Sequence, residues 1–227
     1  MSELFSIQLQ NRQQQGRDGV WLNLPTTTEQ VQAALRQIGI SSDNPQGLFI
    51  SGYFAEEEKR FAIPYNMVLA SNVDELNFLA SRLETLSTGE RAELNAALQA
   101  PQSELFSIGR ITDFPENVDY YVHLPEVHGP AQLGDYYLNR SGMVDMPEEW
   151  KGGIDTAQFG RYVAQQEQGA FTQYGYLVKS GDTWQKVHEG QPVTEEYRVL
   201  SFPAPEVLRD AANIPPPVQP ETEPQKV

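Results

Sequence analysis

Cysteine is absent from the 227-residue chain, and that omission removes disulfide staples, thiolate zinc sites and a thiol nucleophile together. Histidine is scarce, with three copies, which leaves little material for acid–base catalysis near neutral pH or for imidazole metal sites. No stretch approaches the roughly 18 consecutive apolar residues of a membrane span. The opening MSELFSIQLQ lacks the basic and long apolar regions of a signal peptide, so a soluble, cytoplasmic protein with no membrane partner is expected. Positive charge is in short supply as well: 16 Lys and Arg stand against 31 Asp and Glu, a net of −15. Affinity for nucleic acid rests on Lys and Arg contacts to phosphate, so direct nucleic-acid binding is disfavoured. Competition for a surface that holds nucleic acid is not, because such a surface is a standing field of positive charge. On composition alone, the acidity equally serves solubility.

The chain contains enough apolar material, 39% of residues, to build a real core. Its periodicities predict an α+β architecture: an elongated chain of three small domains (1–63, 64–101 and 102–180), an extra hairpin over 181–202 and a Pro-rich tail from 203. In the first domain, strands are expected at Leu4–Leu9, Val20–Leu24 and Leu48–Phe54. Between them Thr26 and Glu29 have capping-box spacing, Val31, Ala34, Leu35 and Ile38 form a helical stripe, and Gly39 supplies a stop. The second domain reads as a helical hairpin. Asn72 with Glu75 and Ser87 with Glu90 are capping boxes, and Leu76, Leu79, Leu83 and Leu86 share one face.

The third domain predicts strands at Leu105–Ile111 and Asp119–Leu124 and a helix opened by Pro130. A further helix is capped by Asp155, presents Phe159, Tyr162 and Val163 on one face, stops at Gly169 and feeds a strand within Phe171–Val178. Ser103–Ile108 repeats the hexapeptide Ser2–Ile7, which suggests either two domains of related topology or two similarly built strands. Beyond Gly181, Trp184–Val187 and Glu196–Phe202 predict a hairpin. The prolines from Pro203 onward, among polar residues, predict a disordered, inert terminus.

Catalytic signatures are weak. His123, Glu126 and His128 in HLPEVH have ligand chemistry, but Pro125 forbids the regular helix on which zinc proteases place such residues, and turn polar residues are the plainer reading. Gly152-Gly153 lacks the glycine order that wraps phosphates. Adjacent acids such as Glu148-Glu149 on a polar stretch usually form a solvated face, and after Pro147 they suit a helix N-terminus. No catalytic residue, metal site or cofactor is therefore expected. Charge is densest in residues 101–167, with 11 acids against 4 bases. There Asp113, Glu116, Asp119, Glu126 and Asp135 follow one another before Arg140 supplies a base.

Four stretches bear a particular set of identities. Ile154–Leu177 reads IDTAQFGRYVAQQEQGAFTQYGYL; Glu75-Leu76-Asn77-Phe78-Leu79-Ala80 is followed by Leu83; Gly19-Val20-Trp21-Leu22-Asn23-Leu24-Pro25 and Gln132-Leu133-Gly134-Asp135-Tyr136-Tyr137 complete the set. Over roughly Ser6–Val178 the chain resembles the ArdA antirestriction proteins, the first of these stretches resembling their third domain. The resemblance implies a dimeric, elongated mimic of bent B-form DNA that occupies the DNA groove of type I restriction-modification enzymes and catalyses nothing. A duplex carries one charge per about 1.7 Å of axis, so two chains would match the charge of about 50 Å of DNA. The expected partners are the methyltransferase core of such an enzyme and a second copy of the chain.

The candidate target-binding acids are Asp113, Glu116, Asp119, Glu126, Asp135, Asp145, Glu148, Glu149 and Asp155, with Glu56, Glu57, Glu58, Asp74 and Glu75 extending the track. Leu133, Tyr136 and Tyr137 are the candidate dimer contacts, although leucine and tyrosine at helical spacing equally suit the core of their own domain. The alternatives are an acidic module acting on some other DNA-binding protein and, more remotely, a metal-dependent hydrolase built on His123, Glu126 and His128.

Overall fold

The computed structural model describes residues 3–14, 18–56 and 60–205. Its mixed α and β structure, with two small antiparallel sheets and several helices, agrees with the α+β expectation. In the first sheet β1 (Phe5–Asn11) lies between β2 (Val20–Leu24) and β3 (Leu48–Phe54). β1 alternates strictly: Phe5, Ile7 and Leu9 are buried while Ser6, Gln8 and Gln10 face the other side. Ile7 stands opposite Leu22 and Tyr53, and the register with β3 slips between Gln8 and Leu9, a bulge in the ladder. Helix α1 (Thr28–Gln37) covers the inner face with Val31, Ala34 and Leu35. Each fully buried Leu or Ile here contributes about 1.5–3 kcal/mol. Gly39 ends the helix with φ of +68°, in the left-handed region where a Cβ is penalised.

The cap of α1 sits one residue later than expected. Thr27 and Gln30 form the capping box, because Thr26 is buried and its amide donates to Asn77 Oδ1 at 2.7 Å. The helical section holds α2 (Tyr65–Leu69), α3 (Val73–Glu84) and α4 (Thr88–Gln99), and both expected boxes are present, Asn72 with Glu75 and Ser87 with Glu90. Leu76, Leu79, Leu83 and Leu86 are buried together.

Residues 105–111 depart from expectation. Instead of a strand, α5 (Ile108–Thr112) forms there, with Ser107 Oγ accepting from the amide of Arg110 at 3.2 Å. Leu105, Ile108 and Ile111 then fall three residues apart on a buried face. The repeated hexapeptide thus becomes a strand over Phe5–Ile7 and a cap and helix start over Ser107–Ile108, so the duplication reading fails. The strand expected from Asp119 starts only at Tyr121, because Val118–Tyr120 close a 3₁₀ turn; β4 is Tyr121–Leu124.

Helix α6 (Pro130–Asp135) runs into a π turn at Tyr136–Arg140, after which come α7 (Glu148–Lys151) and α8 (Thr156–Glu167). Helices α6 and α8 cross at backbone contact. A Cβ on Gly160 would lie 1.8 Å from the carbonyl oxygen of Pro130, and one on Gly134 would lie 1.9 Å from that of Thr156. Glycine makes this contact; of the expected Phe159, Tyr162 and Val163 face, Val163 packs against the smaller core while Tyr162 is 60% exposed. Gln168, rather than Gly169, takes the left-handed cap at φ 57°. Gly169 serves close packing, since a Cβ there would strike the Tyr176 hydroxyl. The expected single strand is a hairpin, β5 (Ala170–Thr172) and β6 (Gly175–Lys179), with β6 central between β4 and β5.

Residues 181–205 contain no strand among the described residues, which corrects the expected hairpin; only a 3₁₀ turn at Glu195–Tyr197 interrupts them. They form a strap with local turns at Gln191, Tyr197 and Arg198, several of whose other amides donate to side chains rather than to a ladder. Gln185 exchanges two hydrogen bonds with the Asn117 side chain, at 3.0 and 2.7 Å. The amides of His188 and Glu189 donate to Asp113, and those of Val199 and Leu200 donate to Asp74. Pro203 accepts from Ser42 at 3.0 Å. The disorder expected of the tail concerns mostly residues 206–227, which lie outside the described residues.

The larger buried cluster runs from Leu4 to Val199 and draws on the first sheet, the helical section and the start of the third section. A smaller one gathers Val127, Leu133 and Tyr176, with Val163 and Ala164 of α8 packed against it.

Candidate functional site

The expected acidic track divides into carboxylates used by the fold and carboxylates left to solvent. Asp113 is fully buried. Its Oδ1 accepts from His188 N at 2.6 Å and its Oδ2 from Glu189 N at 3.2 Å. Asp74 Oδ1 accepts from Val199 N and Leu200 N, both at 2.7 Å. Both acids are thus engaged by backbone amides within the fold, Asp113 with no exposed surface. Sequence spacing could not reveal this, because the amides they hold lie 75 to 126 positions away.

Other candidates are exposed or, for Asp135, half-buried, but engaged. Glu75 completes the box that caps α3, and Asp155 Oδ1 accepts from Gln158 N at 2.9 Å to cap α8. Glu116 pairs with Arg82 of α3. Glu148 pairs with Lys151 at 2.7 Å. Asp135 accepts from Asn139 at 2.8 Å and Arg140 at 2.9 Å. The Asn139 hydrogen bond, helped by the Arg140 charge, holds its carboxyl below the usual range. Glu56 is exposed on the stretch after β3, while Glu57 and Glu58 lie outside the described residues.

Four candidates remain exposed with no hydrogen bond or ion pair to their carboxylates among the described residues: Asp119, Glu126, Asp145 and Glu149. All four belong to the third section. Asp119 follows α5 in the turn before β4, Glu126 lies in the turn after β4, Asp145 precedes α7 and Glu149 is in its first turn. Sequence reasoning missed Glu93 on α4. Its Oε1 is buried without a partner, and burial, with the Glu90 and Asp119 charges, pushes its carboxyl up to about 8. Glu93 therefore holds a proton near neutral pH and adds little charge. Exposed Asp18, Asp43, Glu195 and Glu196 also went unnoticed, since isolated surface acids have no periodic signature.

Of the expected dimer contacts, Leu133 lies in the chain's own interior and Tyr136 and Tyr137 are half-buried. Leu133 is fully buried beside Tyr176 and Val127. The hydroxyl of Tyr137 donates to Glu167 Oε1 at 2.5 Å and that of Tyr176 to Oε2 at 3.1 Å, so one carboxylate ties α6, α8 and β6 together. Burial, followed by the charge and hydrogen bonding of Glu167, pushes both phenols up from their ordinary values. Tyr136 is half-buried, its ring edge-on to Tyr137. The large apolar side chains most open in the third section are Met143, Trp150, Phe106 and Tyr162, at 74%, 68%, 64% and 60% exposure; Phe106 is covered on one face by the Arg110 guanidinium.

The remote hydrolase reading finds no assembled centre. His123 Nε2 lies 2.7 Å from the Tyr174 carbonyl, which requires that nitrogen to carry the proton and donate. Among the described residues no three of His, Asp and Glu gather as metal ligands. A groove of about 590 Å³ lies between α3, α5 and the strap and is lined by Phe78, Phe106, Ile108 and Val193. No helix among the described residues is long and apolar enough to cross a membrane.

Compared with known proteins, the chain matches the family model described as antirestriction protein (ArdA) over residues 15–178, more than two thirds of its length. No curated protein matches it.

Proposed function

The chain belongs to the ArdA antirestriction family, a non-enzymatic family directed at restriction-modification enzymes, and from that premise we propose that it is an acidic mimic of B-form DNA that fills the DNA-binding groove of a type I enzyme. The observation that carries this reading is the set of exposed, unpaired carboxylates Asp119, Glu126, Asp145 and Glu149 on the third section. An unpaired carboxylate keeps its full charge and spare acceptor capacity, which is what a phosphate offers to Lys and Arg. Glu116, Asp135 and Glu148, each paired with a base, are partly neutralised acids of the same section that add to the long-range field, as do Asp155 and Glu56. Steering by that field speeds encounter, and direct pairing with the groove's cations fixes register.

Two copies double the length and charge of the acidic face. A dimer is proposed through Met143, Trp150 and Tyr162, whose exposure suits a partner better than the buried Leu133 and the half-buried Tyr137. Labelled duplex bound to a type I methyltransferase core, titrated with the purified protein without metal or nucleotide, tests the function. Displacement of the duplex supports mimicry, whereas a protein that leaves it bound yet alters another DNA-binding protein would belong to the broader class of acidic interaction modules.

A further inference from the structure

Beyond the family match, which ends at residue 178, the strap over 184–203 makes successive polar contacts with all three sections. Gln185, His188 and Glu189 are held by Asn117 and Asp113 beside α5. Arg110 of α5, itself buried, pairs with Glu189 at 2.9 Å and Glu104 at 3.1 Å. Farther on, Tyr197 O accepts from Asn77 of α3 at 3.1 Å, and Val199 and Leu200 donate to Asp74 of the same helix. Ser201 accepts from Gln32 of α1, and Pro203 holds the amide of Ser42. Apolar contacts follow the same course: Val199 is buried in the larger cluster, and Trp184 lies edge-on to Tyr120, next to the free acid Asp119. The strap thus bridges the segment that carries Asp119 to helices in the two preceding sections.

We propose that Asp74 and Asp113 are positioning residues, which clamp the strap by its backbone amides so that the acid-bearing third section is held at a fixed placement against α3 and α1. Their charge never meets the target. It is spent on amides, where an ionised acceptor makes short, strong hydrogen bonds. Fixed spacing matters because a mimic whose acids shift relative to one another must order them on binding and loses affinity by that cost. This inference rests on the mimicry reading, but its structural half is measurable without any target.

The chemistry of Asp74 separates positioning from charge. Both amides go to one oxygen, Oδ1, so Asn at this position retains the acceptor and loses only the charge, whereas Ala loses both. Full-length Asp74→Asn and Asp74→Ala proteins are compared by amide hydrogen exchange at Val199 and Leu200 and by displacement of duplex from the methyltransferase core. The expected result is that Asp74→Asn retains protection and potency, while Asp74→Ala loses protection at both amides and weakens inhibition by roughly tenfold. Should Asp74→Ala fail to fold, Asn117→Ala removes an uncharged anchor of the same strap and is expected to weaken inhibition similarly with unprotected Gln185. If Asn and Ala at position 74 weaken inhibition equally while the Asn protein stays protected, Asp74 acts by its charge and the proposal is overturned. It is equally overturned if strap protection is lost with potency intact. Failure of the wild type to displace duplex, with protection patterns as expected, would count against mimicry alone.

Discussion

Glu93 offers a stability test that needs no partner. Its Oε1 is buried without a hydrogen bond, and Glu90 and Asp119 add negative charge beside it, so its carboxyl is pushed up to about 8 from an ordinary 4.5. The folded protein therefore holds this proton more tightly than the unfolded chain. Relative to a protein without the group, the stability linked to Glu93 is fully present below about pH 4.5 and is lost as pH rises to about 8. An unscreened shift of this size would be worth about 5 kcal/mol, at roughly 1.4 kcal/mol per unit. Solvent reaches part of the side chain, and discounting for that screening leaves about 1–2 kcal/mol. Glu93→Gln removes the titration and keeps the shape. Urea unfolding of both proteins at pH 5 and pH 8.5 should show the wild type losing about 1–2 kcal/mol relative to the variant over that interval. The double difference removes the general effect of net charge. Parallel pH profiles would refute the reasoning, and a wild type that gains stability over the variant with rising pH would reverse its sign.

Three further outcomes follow from packing and charge. Gly160→Ala would push a methyl group against the Pro130 carbonyl, so calorimetry should show a loss of at least about 2 kcal/mol or failure of the third section to fold. Tyr137→Phe removes one of two hydroxyl donors to Glu167 and should cost about 1–2 kcal/mol in urea unfolding, with inhibition unchanged at temperatures where the protein stays folded. Leu133→Glu buries a charge in the smaller core and should unfold that section, whereas Trp150→Glu should leave it folded and weaken self-association in light scattering.

The parts of the fold legible in the sequence were those whose causes are local. Capping boxes at Asn72 and Ser87 declare themselves within four residues, and the alternation of Phe5, Ile7 and Leu9 announces a half-buried strand. Local signals failed where a distant group decided the outcome. Thr26 looked like a cap until Asn77 took its amide, and Ser107 turned a strand-like apolar run into a helix start. Gly160 and Gly134 carry no local signal of their role, yet they permit α6 and α8 to cross at backbone contact. The candidate site was legible as a composition and as a set of acids, but not as a surface. Nothing in the spacing of Asp113 and Asp119 distinguishes the one buried under the strap from the one left in water.

The central claim is that unpaired carboxylates of the third section stand in for phosphates. Asp119→Asn, Glu126→Gln, Asp145→Asn and Glu149→Gln combined in one protein retain every hydrogen bond and ion pair described within the fold, because none of these carboxylates makes one among the described residues; the only described interaction lost is the repulsion between Asp119 and Glu93, which is absent at pH 5, where Glu93 is protonated. Displacement of labelled duplex from a type I methyltransferase core should weaken by about a hundredfold or more, at roughly 0.7 kcal/mol or more per lost charge contact, with an unchanged unfolding midpoint. The wild type's own potency should fall steeply as salt is raised, as screening of exposed charge requires. A quadruple variant that displaces duplex as well as the wild type at low salt would contradict the account.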